Sequence, residues 1–178
     1  MPQPLTHRLA ERADLPALRA LMDAAIGELQ RGFLSEEQIV ASRTIMGLDT
    51  QLIEDGTYFV VEADGVLAGC GGWSRRATLY GGDHTPGRDA AMLDPAVDAA
   101  RVRAMYTHPS AARRGVGRLI LSLCEAAARA EGFRRAEMAA TLSGQPLYAA
   151  CGYQPIERFV DARGGIAVPL VRMGKSLV

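Results

Sequence analysis

Apolar residues recur along this chain in two rhythms, one helical and one extended. Leu15, Leu18, Leu21, Met22, Ala25 and Ile26 fall three or four positions apart, the spacing of one helix face. Asp14 stands where an N-cap belongs, and Pro16 falls in the first turn, where a missing N–H costs little. A second helix is predicted from Ser35. Glu36 and Glu37 suit its first turn, and Ser35 with Gln38 has the form of a capping box. Val116, Leu119, Ile120, Leu123, Cys124 and Ala127 repeat the helical spacing further on, and Gly132 is placed to end that helix.

The extended rhythm fills the rest. Residues 5–10 alternate weakly and are read as a first strand. Tyr58 to Glu62 is rich in β-branched and aromatic residues, "ADG" is a tight turn, and Val66 to Trp73 returns as the second arm of a hairpin. Its glycines predict a close backbone approach or a bulge. "ARVRAMYTHP" reads as a strand stopped by Pro109, and "RRAEMAAT" as a short strand. A short helix, "GQPLYAAC", follows with Ser143 as its cap and Gly152 as its stop. Tyr153 to Met173 reads as two strands around "ARGG". The order is β-α-α-β-β-loop-β-α-β-α-β-β. Its central strand–helix–strand unit requires a parallel pair, while the ends favour antiparallel pairing. The fold class is therefore α+β: a mixed, mostly antiparallel central sheet with one parallel β-α-β pair and helices on both faces. Residues 1–178 are read as a single domain. Residues 74–98 form a long loop, with room for a short helix, of a length that often marks function.

Composition narrows the possibilities. The 178 residues suffice to bury about 70% of the unfolded surface without metal or disulfide staples. Lys+Arg and Asp+Glu are 20 each. The balance argues against nucleic acid or an acidic membrane as partner, although Arg113, Arg114 and Arg118 make a local basic spot. Cys70, Cys124 and Cys151 are an odd number at wide spacing with no CxxC pair, so neither a metal site nor a disulfide framework is expected. The N-terminus lacks the apolar core of a signal peptide, and no apolar run approaches the ~18 residues of a membrane span. A cytoplasmic protein is the expectation.

The stretch "HPSAARRGVGRLIL", residues 108–121, carries the candidate chemistry. A strand ends, two arginines follow, and Gly115 and Gly117 flank the start of an apolar helix. The first N–H groups of a helix lack internal partners and carry about half a positive charge, and glycine lets an anion approach the backbone. Two familiar phosphate motifs do not fit. A Walker loop requires Lys and then Ser or Thr after its glycine, but Arg118 and Leu119 follow Gly117. A dinucleotide fingerprint requires a third glycine where Ile120 stands.

The stretch resembles the acyl-CoA signature of the GNAT superfamily of N-acyltransferases: Gln or Arg, two residues, Gly, one residue, then Gly or Ala, between a strand and a long helix. Gly115 and Gly117 match; Ala112 departs at the first position. A second segment, "QPLYAACGYQPIERF", resembles the family's later helix, with Tyr148 four residues before the pair Gly152–Tyr153. The order of elements resembles the family over most of the chain. The resemblance implies that the backbone N–H groups of Arg113, Arg114, Gly115, Val116, Gly117 and Arg118 hold the pyrophosphate of acetyl-CoA. It also implies that Met105, Tyr106 and Thr107 pair with the pantetheine arm, and that Tyr148 protonates the leaving thiolate. No metal is implied. The partners implied are acetyl-CoA and an amine acceptor, with a possible homodimer.

The general base is not assigned. Ala136 or Met138 occupies the inward position on the strand after the long helix where some relatives place a carboxylate, and Glu137 is expected to face away. Thr141 stands where relatives often show Asn. Glu28, Asp49, Asp83 and His84 are further candidates, each read first as a solvated surface group and none singled out. Trp73 and Tyr80 flank the long loop and could line an acceptor pocket, or pack in the core. His108 is read as a turn residue, and Cys124 and Cys151 as core. Two functions stay open: an acetyl-CoA-dependent N-acetyltransferase acting on a small-molecule or peptide amine, and a CoA-binding sensor of the same fold that has lost turnover. A longer acyl group or a hydroxyl acceptor is a third variant.

Overall fold

A computed structural model describes residues 4–178. Seven strands form one sheet in the order β1-β2-β3-β4-β5-β7-β6. They are β1 (Thr6–Leu9), β2 (Tyr58–Ala63), β3 (Val66–Ser74), β4 (Ala100–Thr107), β5 (Arg135–Thr141), β6 (Gln154–Asp161) and β7 (Val168–Ser176). The helices are α1 (Leu15–Glu28), α2 (Glu36–Ser42), α3 (Thr50–Glu54), α4 (Val116–Ala130) and α5 (Gln145–Ala150). All neighbouring strands pair antiparallel except β4 and β5, which run parallel on either side of α4.

Alternation along β2 sorts the two faces. Phe59 and Val61 turn towards the cluster that α4 supplies with Val116, Ile120 and Cys124. Tyr58 and Val60 turn towards the cluster built on Leu18, Leu21 and Met22 of α1. The expected glycine role on β3 is observed. A Cβ on Gly69 would stand 2.3 Å from Val116, and one on Gly71 would stand 2.7 Å from Ile120. Bare backbone on that face lets α4 lie directly against the sheet.

The β2–β3 turn has positive φ at both Asp64 and Gly65, the primed geometry that suits a two-residue hairpin. Ser35 and Gln38 form the expected capping box. Asp14 does not cap α1. Its carboxylate accepts from the Glu11 N–H at 2.7 Å and pairs with Arg8 at 2.8 Å, closing the turn before the helix. Ser143 does not cap α5 either. Gly144 holds that position, and its N–H donates to the Thr141 hydroxyl at 3.2 Å. The helix α3 has no apolar period in sequence. It is started by the Asp49 carboxylate, which accepts from the Gln51 N–H at 3.1 Å.

The long loop holds no helix. It doubles back on itself, with the Ala77 N–H donating to Ala91 O at 2.9 Å and the Leu93 N–H to Arg75 O at 2.7 Å. No helix among the described residues is long and apolar enough to cross a membrane.

Candidate active site

The sheet opens at its only parallel junction. β4 and β5 pair at Ala100–Ala136 and Arg101–Glu137 and nowhere beyond. A bulge on β4 accompanies the parting. Three steps from Arg103 to Tyr106 face two steps from Gly72 to Cys70, and Ala104 takes a φ of 50°. The Tyr58 hydroxyl donates to Ala104 O at 2.6 Å and fixes the kink. A bulge adds twist and bends its strand, so β4 turns away from β5.

The parted strands leave backbone groups on an open edge. The His108 N–H donates to Ala68 O at 2.8 Å, which turns its amide towards β3. By alternation, Thr107, and Met105 two residues earlier, direct their amides to the other side, where β5 is gone. Tyr106 points its ring into the α1-side core, where its hydroxyl accepts from the Gly47 N–H at 2.8 Å.

The loop after β4 carries the second feature. The His108 ring caps a short 3₁₀ turn at Pro109–Ala111, accepting from the Ser110 N–H at 3.1 Å. Positive φ at Arg113 and Gly115 then swings the chain into α4. The first helical donor is Leu119, whose N–H meets Gly115 O at 3.0 Å. Among the described residues, the six amides from Arg113 to Arg118 have no protein acceptor. A Cβ on Gly115 would meet nothing within 4 Å, so the space beside that residue is open. The Arg113, Arg114 and Arg118 side chains are exposed, and none pairs with a carboxylate among the described residues. Six free N–H groups at a helix start, flanked by cations, suit a polyphosphate.

Gly117 has a different reason to be glycine. A Cβ there would lie 2.5 Å from Leu147 of α5, so this glycine seats α5 against α4. Its neighbour Tyr148 lines the cleft between β4 and β5. The spacing of Tyr148 to Gly152–Tyr153 is a Schellman end to α5. The Gly152 N–H donates to Ala149 O at 3.1 Å, and the Tyr153 N–H to Tyr148 O at 3.0 Å. The two rings meet edge-on with centroids 6.2 Å apart. Tyr153 is held in turn by buried Glu125, whose carboxylate accepts from the Tyr153 hydroxyl at 3.2 Å and from Lys175 at 2.8 Å. The Tyr148 hydroxyl makes no hydrogen bond among the described residues and is not sealed off from the cleft. Burial raises its pKa, with smaller contributions from Cys124 and Cys151. It is therefore protonated at neutral pH and holds its proton more tightly than an ordinary tyrosine, so donation depends on the basic thiolate that forms beside it.

A family model, described as the acetyltransferase (GNAT) domain, matches residues 54–155. The chain belongs to the GNAT family. Solved GNAT structures share its fold end to end. A GCN5-related N-acetyltransferase from Rhodopseudomonas palustris superposes with a TM-score of 0.73 at 20% identity, covering 99% of this chain and 98% of that one. PaiA N-acetyltransferase from Thermoplasma acidophilum, solved with coenzyme A, gives 0.67 at 14% identity, with 98% and 99% covered. YncA from Salmonella typhimurium, solved with acetyl-CoA, gives 0.64 at 18% identity, with 99% and 95% covered. Comparison with curated proteins finds no match in sequence.

The GNAT fold of this chain gathers some sequence candidates and scatters others. Met105, Tyr106 and Tyr148 line one cleft, together with Met138 and Thr141. Tyr80 lines it too, whereas Trp73 is 2% exposed and packs against Phe133 in the core. None of the base candidates stands free at the cleft. Glu137 is held by Arg101 at 3.0 Å and Arg172 at 2.5 Å on the other face of β5. Asp49 is buried between Arg103 at 2.7 Å and Arg88 at 3.0 Å. Asp83 accepts from the Thr50 N–H at 3.0 Å, His84 Nε2 lies 2.6 Å from Arg43 O, and Glu28 is exposed on α1. Sequence reasoning missed Ile45 and Met46, which line the cleft from the segment after α2. It also missed the bulge at Ala104; a non-glycine residue at positive φ leaves no mark in composition.

Proposed function

We propose that this protein is an acetyl-CoA-dependent N-acetyltransferase that moves the acetyl group directly to a primary amine. The observation that carries this reading is the run of six amides from Arg113 to Arg118 that have no protein acceptor among the described residues, with Gly117 packed against Leu147, the neighbour of Tyr148. These amides, with the three exposed arginines, would hold the CoA pyrophosphate. The open edge of Met105 and Thr107 would pair with the pantetheine arm. Bound acetyl-CoA supplies a thioester carbonyl and a thiolate leaving group. An edge amide of β4 would donate to the carbonyl oxygen as negative charge develops on it. The Tyr148 hydroxyl would deliver its proton to the departing sulfur.

Titration calorimetry with acetyl-CoA, followed by single-turnover transfer in Tyr148→Phe, tests the assignment. One-site binding is expected for both proteins, with transfer slowed about a hundredfold or more in the variant. Absence of binding overturns the cofactor assignment. Binding with unchanged turnover removes Tyr148 from the chemistry, and binding without turnover in either protein favours the CoA sensor.

A further inference from the structure

The cleft is lined from both faces of the sheet. Met105 and Tyr148 line it on the α4 side. The other side faces α2. There it is rimmed by Ile45 and Met46 after α2, Leu79 and Tyr80 of the long loop, and Leu170 of β7. If CoA enters along the first, the acceptor is left with the second. The side chains of this rim are mostly apolar, and among the described residues no carboxylate or histidine lines the cleft. Its one charged lining residue, Arg103, is spent on Asp49 and on Gly81 O. The other titratable lining groups are Tyr80, Tyr106 and Tyr148, all with pKa raised by burial. Behind the rim, Asp161 is held by Arg163 at 2.6 Å and accepts from the Tyr80 hydroxyl at 2.7 Å. β5 contributes Met138, Ala139 and Thr141, none of them a base at neutral pH.

We propose that this side of the cleft accepts a weakly basic amine on an apolar carrier, such as the α-amine of an apolar amino-acid amide or peptide, in preference to an alkylammonium such as a lysine side chain or a polyamine. The inference rests on the acetyl-transfer reading above. The proton balance supplies the reason. A neutral amine forms the new carbon–nitrogen bond as the carbon–sulfur bond breaks. The nitrogen sheds one proton and the sulfur gains one, through Tyr148 and water, so none is left over. An ammonium brings one proton more, which a base must remove before attack, and the cleft offers no base. At pH 7 roughly one in ten α-amines of pKa about 8 is neutral, against about one in 2500 lysine side chains of pKa about 10.4. An apolar wall also gives an ammonium no compensation for lost hydration, while it stabilises an apolar substituent.

The test is acetyl transfer from acetyl-CoA to L-leucinamide and L-phenylalaninamide, against Nα-acetyl-L-lysinamide and spermidine, from pH 6 to pH 9. At pH 7, kcat/KM for the two α-amines should exceed that for the alkylamines by about 250-fold, from the neutral fractions alone. The gap should narrow towards pH 9. The α-amine profile should follow the titration of the amine itself, with no second group of pKa 5 to 7. If acetyl-CoA does not bind, the transfer reading falls. If it binds and the alkylamines react as fast at pH 7, or neither α-amine reacts, or an enzymic base titrates in the profile, the acceptor assignment alone is overturned.

Discussion

Two loops of this chain combine arginine with glycine, 74–98 and 108–118, and they treat their polar groups in opposite ways. In the first, the side chains close on the protein. Arg75 meets Glu131 at 2.5 Å, Arg76 meets Asp55 at 2.8 Å, and Arg88 meets Asp49 at 3.0 Å. The Thr85 hydroxyl donates to Thr44 O at 2.8 Å. Arg163, beyond β6, stacks on Tyr80 and donates to Pro86 O. In the second loop the arginines are exposed and the amides from Arg113 to Arg118 stay free among the described residues. Similar residue types therefore serve two ends. Satisfied polar groups make a wall, and unsatisfied ones mark where a ligand belongs.

The comparison can be broken in three ways. The largest effect is expected from Asp49→Ala. It leaves Arg103 buried without its carboxylate and should cost about 3–5 kcal/mol of stability in urea unfolding. A loss under 1 kcal/mol would mean that the wall does not depend on its buried pairs. Next, changing Arg113, Arg114 and Arg118 together to Gln should weaken acetyl-CoA binding on the order of tenfold at low salt, and less as salt rises. Stability should stay within about 0.5 kcal/mol, as for surface changes. Equal affinity would show that the amides alone hold the ligand. Gly117→Glu is a poorer probe, because its side chain would displace Leu147 and move α5 as well.

The smallest effect concerns pH. Arg163 lowers the Asp161 pKa from 3.8 to about 2, helped by the Arg163 and Tyr80 hydrogen bonds. A depressed carboxylate adds stability above its unfolded pKa and loses it as pH falls through its folded one. Part of the acid unfolding between about pH 4 and pH 2 should therefore vanish in Arg163→Ala. An unchanged acid limb would separate Asp161 from the stability of the loop.

Much of the fold could be read from local patterns. The apolar faces of α1 and α4, the Asp64–Gly65 turn, the box at Ser35 and Gln38, and the glycine ends of α4 and α5 are all short-range physics. Local reasoning also misplaced some polar groups. Asp14 and Ser143 satisfy the local rule for a cap, yet a carboxylate within reach of Arg8 and a hydroxyl beside Thr141 take other partners. The candidate site was half legible. Gly115 and Tyr148 stand in motifs, whereas nothing local marks Ile45 or the buried pair of Asp49 with Arg103.

Periodicity by itself determined most segments that become helix or strand, α3 excepted, because those preferences act within a few residues. The chain order required the crossover through α4, and with it the single parallel pair. Tertiary structure alone decided that this pair would part after two residues. The parting depends on the β4 bulge, on Tyr58 reaching Ala104 O from another strand, and on β5 pairing with β7 instead. It also decided which of two arginine-bearing loops would be left with free donors. Whether a polar group is satisfied depends on partners far away in sequence, and those partners are set by packing rather than by neighbours along the chain.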